Sequence, residues 1–201
     1  MRIKIPESLR KSVKRSLPEV EEIQDKELKE RVVDAWALAL AEANFESLDD
    51  IPCSPVPEAE EVPGANQALH LSATARLAVA IAETMEEMVG VLGVERDELI
   101  AGGLCHDLGK PYEYSPANRA RWHEDPRVSG QPAIRHPVYG VHVALMAGLP
   151  ESIAHIVGGH SAEGENITRS LANTIVHHAD HAFWQILRRA GMLTKADRHS
   201  N

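Results

Sequence analysis

The sequence predicts an all-α protein, a helical bundle preceded by an N-terminal helical arm. Three observations predict it. Apolar residues recur at helical spacing in several segments, strict apolar–polar alternation is absent, and Gly or Pro stands where segments end. The arm, residues 1–48, holds a helix at 26–46, with Leu28, Val32, Trp36, Leu40 and Phe45 at roughly helical spacing. An irregular connector at 49–65 follows, because "DDIPCSPVPEAEEVPGAN" (49–66) carries four prolines and many acids. The bundle spans 66–192, ahead of a tail at 193–201. Residues 70–90 are rich in Ala, Leu and Met, and Gly90 suits the helix end. "RDELIAGGLCHD" (96–107) makes a shorter helix, stopped where Gly109 and Pro111 oppose continuation. Residues 111–135 carry four prolines, four arginines and no clean period, and read as a long functional or mobile loop. Helices resume at 137–147, with Pro137 in a first turn, and continue at 150–160 and 168–190.

With 201 residues, 43% of them hydrophobic, the chain is long enough to bury a core. A net charge of −9 argues against a nucleic-acid partner, since no basic excess exists to displace counterions. A small phosphorylated substrate needs only a local cation cluster. Cys53 and Cys105 make neither a disulfide framework nor a cysteine zinc site. The N-terminus lacks a signal peptide's apolar region, and no run approaches the ~18 apolar residues of a membrane span. A cytoplasmic protein without membrane contact is the expectation. The basic run "RKSVKR" reads as a solvated helix face. The Trp36–Leu40 stripe needs cover, either from the domain or, in a homodimer, from a second subunit.

The unusual feature is histidine: 11 of them, all between His70 and His199. Several fall with aspartates on apolar helices, where a lone titratable group is costly to bury. A shared metal ion would satisfy several at once, and imidazole with carboxylate suits Zn, Fe, Mn or Ni. His106 and Asp107 are adjacent, at a helix end that can turn both towards one ion. His70, His136, His160 and Asp180 come from separate helices, as in metal sites built inside helical bundles.

The order His70 … His106-Asp107 … Asp180, with "HDLGK" around the doublet, resembles the HD superfamily of metal-dependent phosphohydrolases. His136 and His160, within "HPVYGVHVALMAGLPESIAHIVGGHSAEG", match the version that holds two metals. The likeness covers about residues 66–185 and makes 66–192 an HD metal-binding domain. It implies that His70, His106, Asp107 and Asp180 hold one divalent transition metal (Fe, Mn, Ni, Co or Zn). Asp107 would bridge to a second, completed by His136 and His160. It also implies that Lys110 directs a cation at substrate phosphate, and that Asp107 and Lys110 are catalytic. The implied reaction is attack of a metal-bound hydroxide on a phosphoester or phosphoanhydride of a nucleotide or other small phosphorylated molecule.

Other residues remain open between two readings. Arg119, Arg121, Arg127 and Arg135 form either a phosphate-binding rim or a solvated face, with Arg135 favoured for contact beside His136. Glu163 either reaches the site or does not. His177, His178 and His181 are either partners of the ligands or a solvated face. His142 and His155 read as packing or surface residues, and Cys105 as a buried apolar group. Two rival functions stand beside hydrolysis. One is a di-iron oxygenase resembling myo-inositol oxygenase, acting on a small polar or phosphonate substrate. The other is a regulator that has lost catalysis. Lys110 favours hydrolysis, as does Gly164, where the similar phosphonate-cleaving oxygenases carry lysine.

Overall fold

Apart from the helix that follows Glu95, the α-helices begin where the sequence supplies a capping side chain or a proline. A computed structural model describes residues 5–55 and 60–195. Helix α1 (Glu7–Ser16) follows Pro6. Helix α2 (Lys26–Ala43) starts at Asp25, whose carboxylate accepts from the amides of Glu27 and Leu28, and ends on Asn44 in the left-handed conformation. Helix α3 (Gln67–Val89) is capped by Asn66, which accepts from the Leu69 amide. It starts three residues before His70, placing that histidine in its first turns. Helix α4 (Arg96–Cys105) is shorter than 96–107, so His106 and Asp107 lie in the turn beyond it.

The stretch 111–135 corrects the expectation of a long loop. It contains α5 (Lys110–Tyr114), α6 (Pro116–Glu124) and α7 (Pro126–Ser129). Pro111, Pro116 and Pro126 each occupy a first turn, where a missing amide hydrogen costs no helical bond. Helices this short cannot display a 3.6-residue period, and that hid them. Helix α8 (His136–Met146) also has a proline in its first turn. Helix α9 (Glu151–Gly159) follows, and α10 (Leu171–Arg189) is capped by Ser170 through the Asn173 amide. A two-residue antiparallel pair, β1 (Glu60–Glu61) with β2 (Thr194–Lys195), ties the connector to the chain end. It is too short to leave an alternation in the sequence.

The arm is not separate from the bundle. Val13, Leu17, Val32, Trp36 and Leu40 share one hydrophobic core with Leu71, Leu104, Ile156 and Val176. Trp36 is fully buried and donates its indole N–H to the Leu104 carbonyl at 2.8 Å. The Trp36–Leu40 stripe is therefore covered within the chain, and a homodimer cannot use that face. Residues 1–4, 56–59 and 196–201, parts of the expected arm, connector and tail, lie outside the described residues. Among the described residues no helix is long and apolar enough to cross a membrane.

The turn after α4 lies against the start of α8. A Cβ placed on Gly109 would stand 2.0 Å from the His136 carbonyl oxygen. Backbone meets backbone there, so no rotamer change relieves the clash. Gly109→Ala is expected to destabilise the fold by at least about 1–3 kcal/mol, read as a lower urea midpoint with an unchanged m-value. A midpoint equal to wild type would contradict the close approach.

Candidate metal centre

The end of α4 shows how the central side chains are aimed. The last carbonyls of a helix lack intrahelical partners. Here Gly102 O accepts from the His106 amide and Cys105 O from the Leu108 amide. Leu104 O takes the Trp36 indole. Gly103 O faces Nδ1 of His106 at 2.7 Å. A carbonyl only accepts, so that nitrogen carries the hydrogen and Nε2 of the neutral ring presents a lone pair. The end of α9 repeats the device. His160 Nδ1 lies 2.9 Å from Val157 O, and its amide bonds Ile156 O. His136 is turned differently. The buried Glu113 accepts from its backbone amide at 2.6 Å and faces its Nδ1 at 3.2 Å. His70 is held by packing, between Phe183 and Trp184, with ring centroids 4.7 and 4.8 Å away.

These orientations gather the six expected positions into two groups. In the first, His70 Nε2 is 3.0 Å from His106 Nε2, 3.4 Å from Asp107 Oδ2 and 3.3 Å from Asp180 Oδ1. In the second, His136 Nε2 is 3.4 Å from His160 Nε2 and 3.1 Å from Asp107 Oδ1, while His160 Nε2 is 3.7 Å from that oxygen. Asp107 thus offers one oxygen to each group. Ligands about 2.0–2.2 Å from a shared ion sit roughly 3–3.6 Å apart, so both sets have metal-binding dimensions. All six side chains are buried. Lone pairs and carboxylates face one another there without donors enough to satisfy them, and a divalent cation fits that donor set. Both helix C-termini also point their partial negative charge at it.

The electrostatics agree. Burial opposes ionisation of Asp107, but Lys110, His106 and His136 outweigh it and hold the carboxyl well below its ordinary value. Burial also opposes charge on Lys110, yet Asp107, Tyr114 and Glu113 raise its pKa. Burial, with His106 nearby, lowers His160 to about 3, keeping that imidazole neutral as a ligand must be.

The cation positions divide. Lys110 is buried and lines the cavity over the centre, but its ammonium donates to the connector carbonyls of Ser54 (3.1 Å) and Pro55 (2.8 Å). These carbonyls are its hydrogen-bond partners among the described residues. Arg135 lines it too, donating to Glu113 (3.1 Å) and Glu163 (3.0 Å). Burial tends to raise Glu163, but Ser161 and Arg135 bring it down to about 2. Arg119 and Arg121 lie on α6 and are not among the cavity-lining residues; Arg121 donates to Asn118 at 3.2 Å. Arg127 is exposed and pairs with Asp125.

The remaining histidines do not enter the ligand groups among the described residues. His177 lies 2.5 Å from the His160 carbonyl and packs behind that residue, His181 sits at the cavity rim, and His178 is exposed. His155 accepts from the Ser170 amide, and His142 is exposed on α8. Cys105 is buried, and its thiol pKa is pushed up by burial. Two functional side chains escape sequence reasoning. Gln67, fully buried, donates to Asp107 Oδ2 at 2.8 Å. Glu113, on one of the short helices, orients His136 and Arg135. A glutamine one turn before His70 is a faint signal for the first; a glutamate inside an apparent loop is none for the second.

Comparison with known proteins gives two findings. A family model described as "HD domain" matches residues 68–201. A dihydroneopterin 2',3'-cyclic phosphate phosphodiesterase of Methanocaldococcus jannaschii is 30% identical over 115 residues. That match takes in 56% of this chain and 44% of the relative, so the chain spans less than half the length of that protein. No solved structure matches significantly.

Glu113→Gln keeps the shape of the support for His136 but sets an amide where the carboxylate accepts. Metal affinity in the His136–His160 group is expected to fall about 10–100-fold, with the His70 group unchanged, in a calorimetric titration of metal-free protein. Two affinities equal to wild type would remove Glu113 from the support.

Proposed function

The chain belongs to the HD domain family, and from that premise we propose that it is a metal-dependent phosphohydrolase acting on a small phosphorylated molecule. The observation that carries this reading is Asp107, one oxygen directed at each imidazole group, beneath a cavity that Lys110 and Arg135 also line. Two ions held there would lower the pKa of a shared water and neutralise charge on a phosphoryl group. His70, His106, Asp107 and Asp180 would hold one ion, and Asp107, His136 and His160 the other. The protein's own contribution is positioning and charge. Lys110 keeps Asp107 ionised and places its charge at the cavity wall. Arg135, fixed by Glu113 and Glu163, presents a guanidinium edge of the kind that pairs with phosphate oxygens. The cyclic phosphodiester named for the relative makes phosphodiesters, cyclic ones included, the first substrates to try.

The phosphonate-cleaving form of the oxygenase alternative meets a steric obstacle. A Cβ on Gly164 would stand 2.0 Å from the Gly159 carbonyl oxygen, so the lysine carried there by the similar phosphonate-cleaving oxygenases does not fit this backbone.

The test is metal analysis with a panel of phosphomonoesters, phosphodiesters and cyclic phosphates, run in air and without oxygen. Expected are about two transition-metal ions per chain and phosphate-ester cleavage independent of oxygen. Asp107→Ala should lose at least one ion and at least about 100-fold of turnover, more than a supporting residue costs. Oxygen uptake with a non-hydrolytic product would overturn the proposal.

A further inference from the structure

The cavity over the metal centre, about 300 Å³, continues past the ligands along α10. Beyond Asp180 that helix contributes His181, Trp184, Gln185 and Arg188 to the wall. Asp180, Trp184 and Arg188 are four residues apart and share one face. The hydrolytic centre makes no use of Gln185 or Arg188. Two helical turns, roughly 12 Å, separate the backbones of Asp180 and Arg188. Arg188 lines the same cavity as Asp180, and its guanidinium is held there by Glu60 of the connector.

The three cations lining this cavity differ in how firmly they are held. Lys110 is buried between Asp107 and two connector carbonyls. Arg135 lies between two carboxylates. Among the described residues Arg188 pairs with one acid, Glu60 of the connector. Its Nε and Nη2 lie 3.0 and 2.7 Å from the same Glu60 oxygen. The pair is 50% and 39% exposed, and a solvated pair of this kind exchanges readily for another anion. At the metal end, then, the charges suit one phosphoryl group. At the other end stands a guanidinium with a replaceable partner, with Gln185 beside it and Trp184 as the apolar wall between.

We propose that Arg188, with Gln185, reads a second anionic group on the substrate, a phosphate or carboxylate about one sugar unit from the reacting phosphorus, and that Glu60 competes for the same guanidinium. The proposal rests on the phosphohydrolase reading and narrows its substrate class to small molecules anionic at both ends. It predicts opposite effects for the two halves of one ion pair, which a merely structural pair would not show.

The experiment is calorimetric binding to the metal-loaded protein, with pentane-1,5-diol bisphosphate compared with pentanol monophosphate. Wild type should bind the bisphosphate at least about 10-fold more tightly. Arg188→Met should abolish that preference and leave monophosphate affinity within about twofold. Glu60→Gln should increase the preference. A preference insensitive to Arg188→Met, or both variants weakening both ligands alike, would overturn the subsite. If wild type cleaves no phosphate ester yet shows the Arg188-dependent preference, the hydrolase reading falls and the anion site stands. If it cleaves esters but Arg188 leaves the preference untouched, the subsite alone falls.

Discussion

The unpaired carbonyls at two helix ends set the direction of the central chemistry. Helices α4 and α9 both stop at a histidine, and each imidazole turns back to the carbonyl three residues earlier. That bond uses the Nδ1 hydrogen and leaves Nε2 as an acceptor aimed inward. Once His106 and His160 are so fixed, the interior holds converging lone pairs beside the buried carboxylates of Asp107 and Asp180. A cation is the natural partner for that arrangement. The same step that ends each helix therefore creates the candidate ligand set.

Elements far from the centre serve this step. Trp36, on the second helix of the chain, occupies the Leu104 carbonyl in the last turn of α4, next to the carbonyl that His106 needs. The N-terminal helices can make this contact because their apolar residues share the bundle's core. His177 plays a comparable part behind His160, approaching its carbonyl. Gly109 lets the following turn lie against the first residue of α8, bringing His136 to the second oxygen of Asp107. Packing and capping together do what no single strong interaction could.

The connector is as much part of the centre as the helices. Lys110 satisfies two of its carbonyls while offsetting the charge of Asp107. Cys53, next to Ser54, packs with Phe183 and Trp184, the rings that hold His70. Pro55 of this proline-rich stretch thus lines the cavity, where a buried ammonium and an apolar cluster anchor its neighbours.

Much of this molecule was legible in the sequence. Helical periodicity and caps are local properties, so the long helices and their ends could be read within a few residues. The six positions that converge on the candidate centre could be read as an ordered set, because a metal site would demand particular residue types that an apolar helix otherwise avoids. The short helices at 110–129 could not, since a proline in a first turn and a proline in a loop look alike. The sequence by itself determined which side chains the centre can use. Only the tertiary structure decided how they are shared: Asp107 dividing its oxygens, Glu113 turning His136 from 23 residues away, Gln67 reaching Asp107 across 40, and Lys110 turning to the connector across more than 50. Those are contacts between distant segments, set by how helices pack, and no local pattern encodes them.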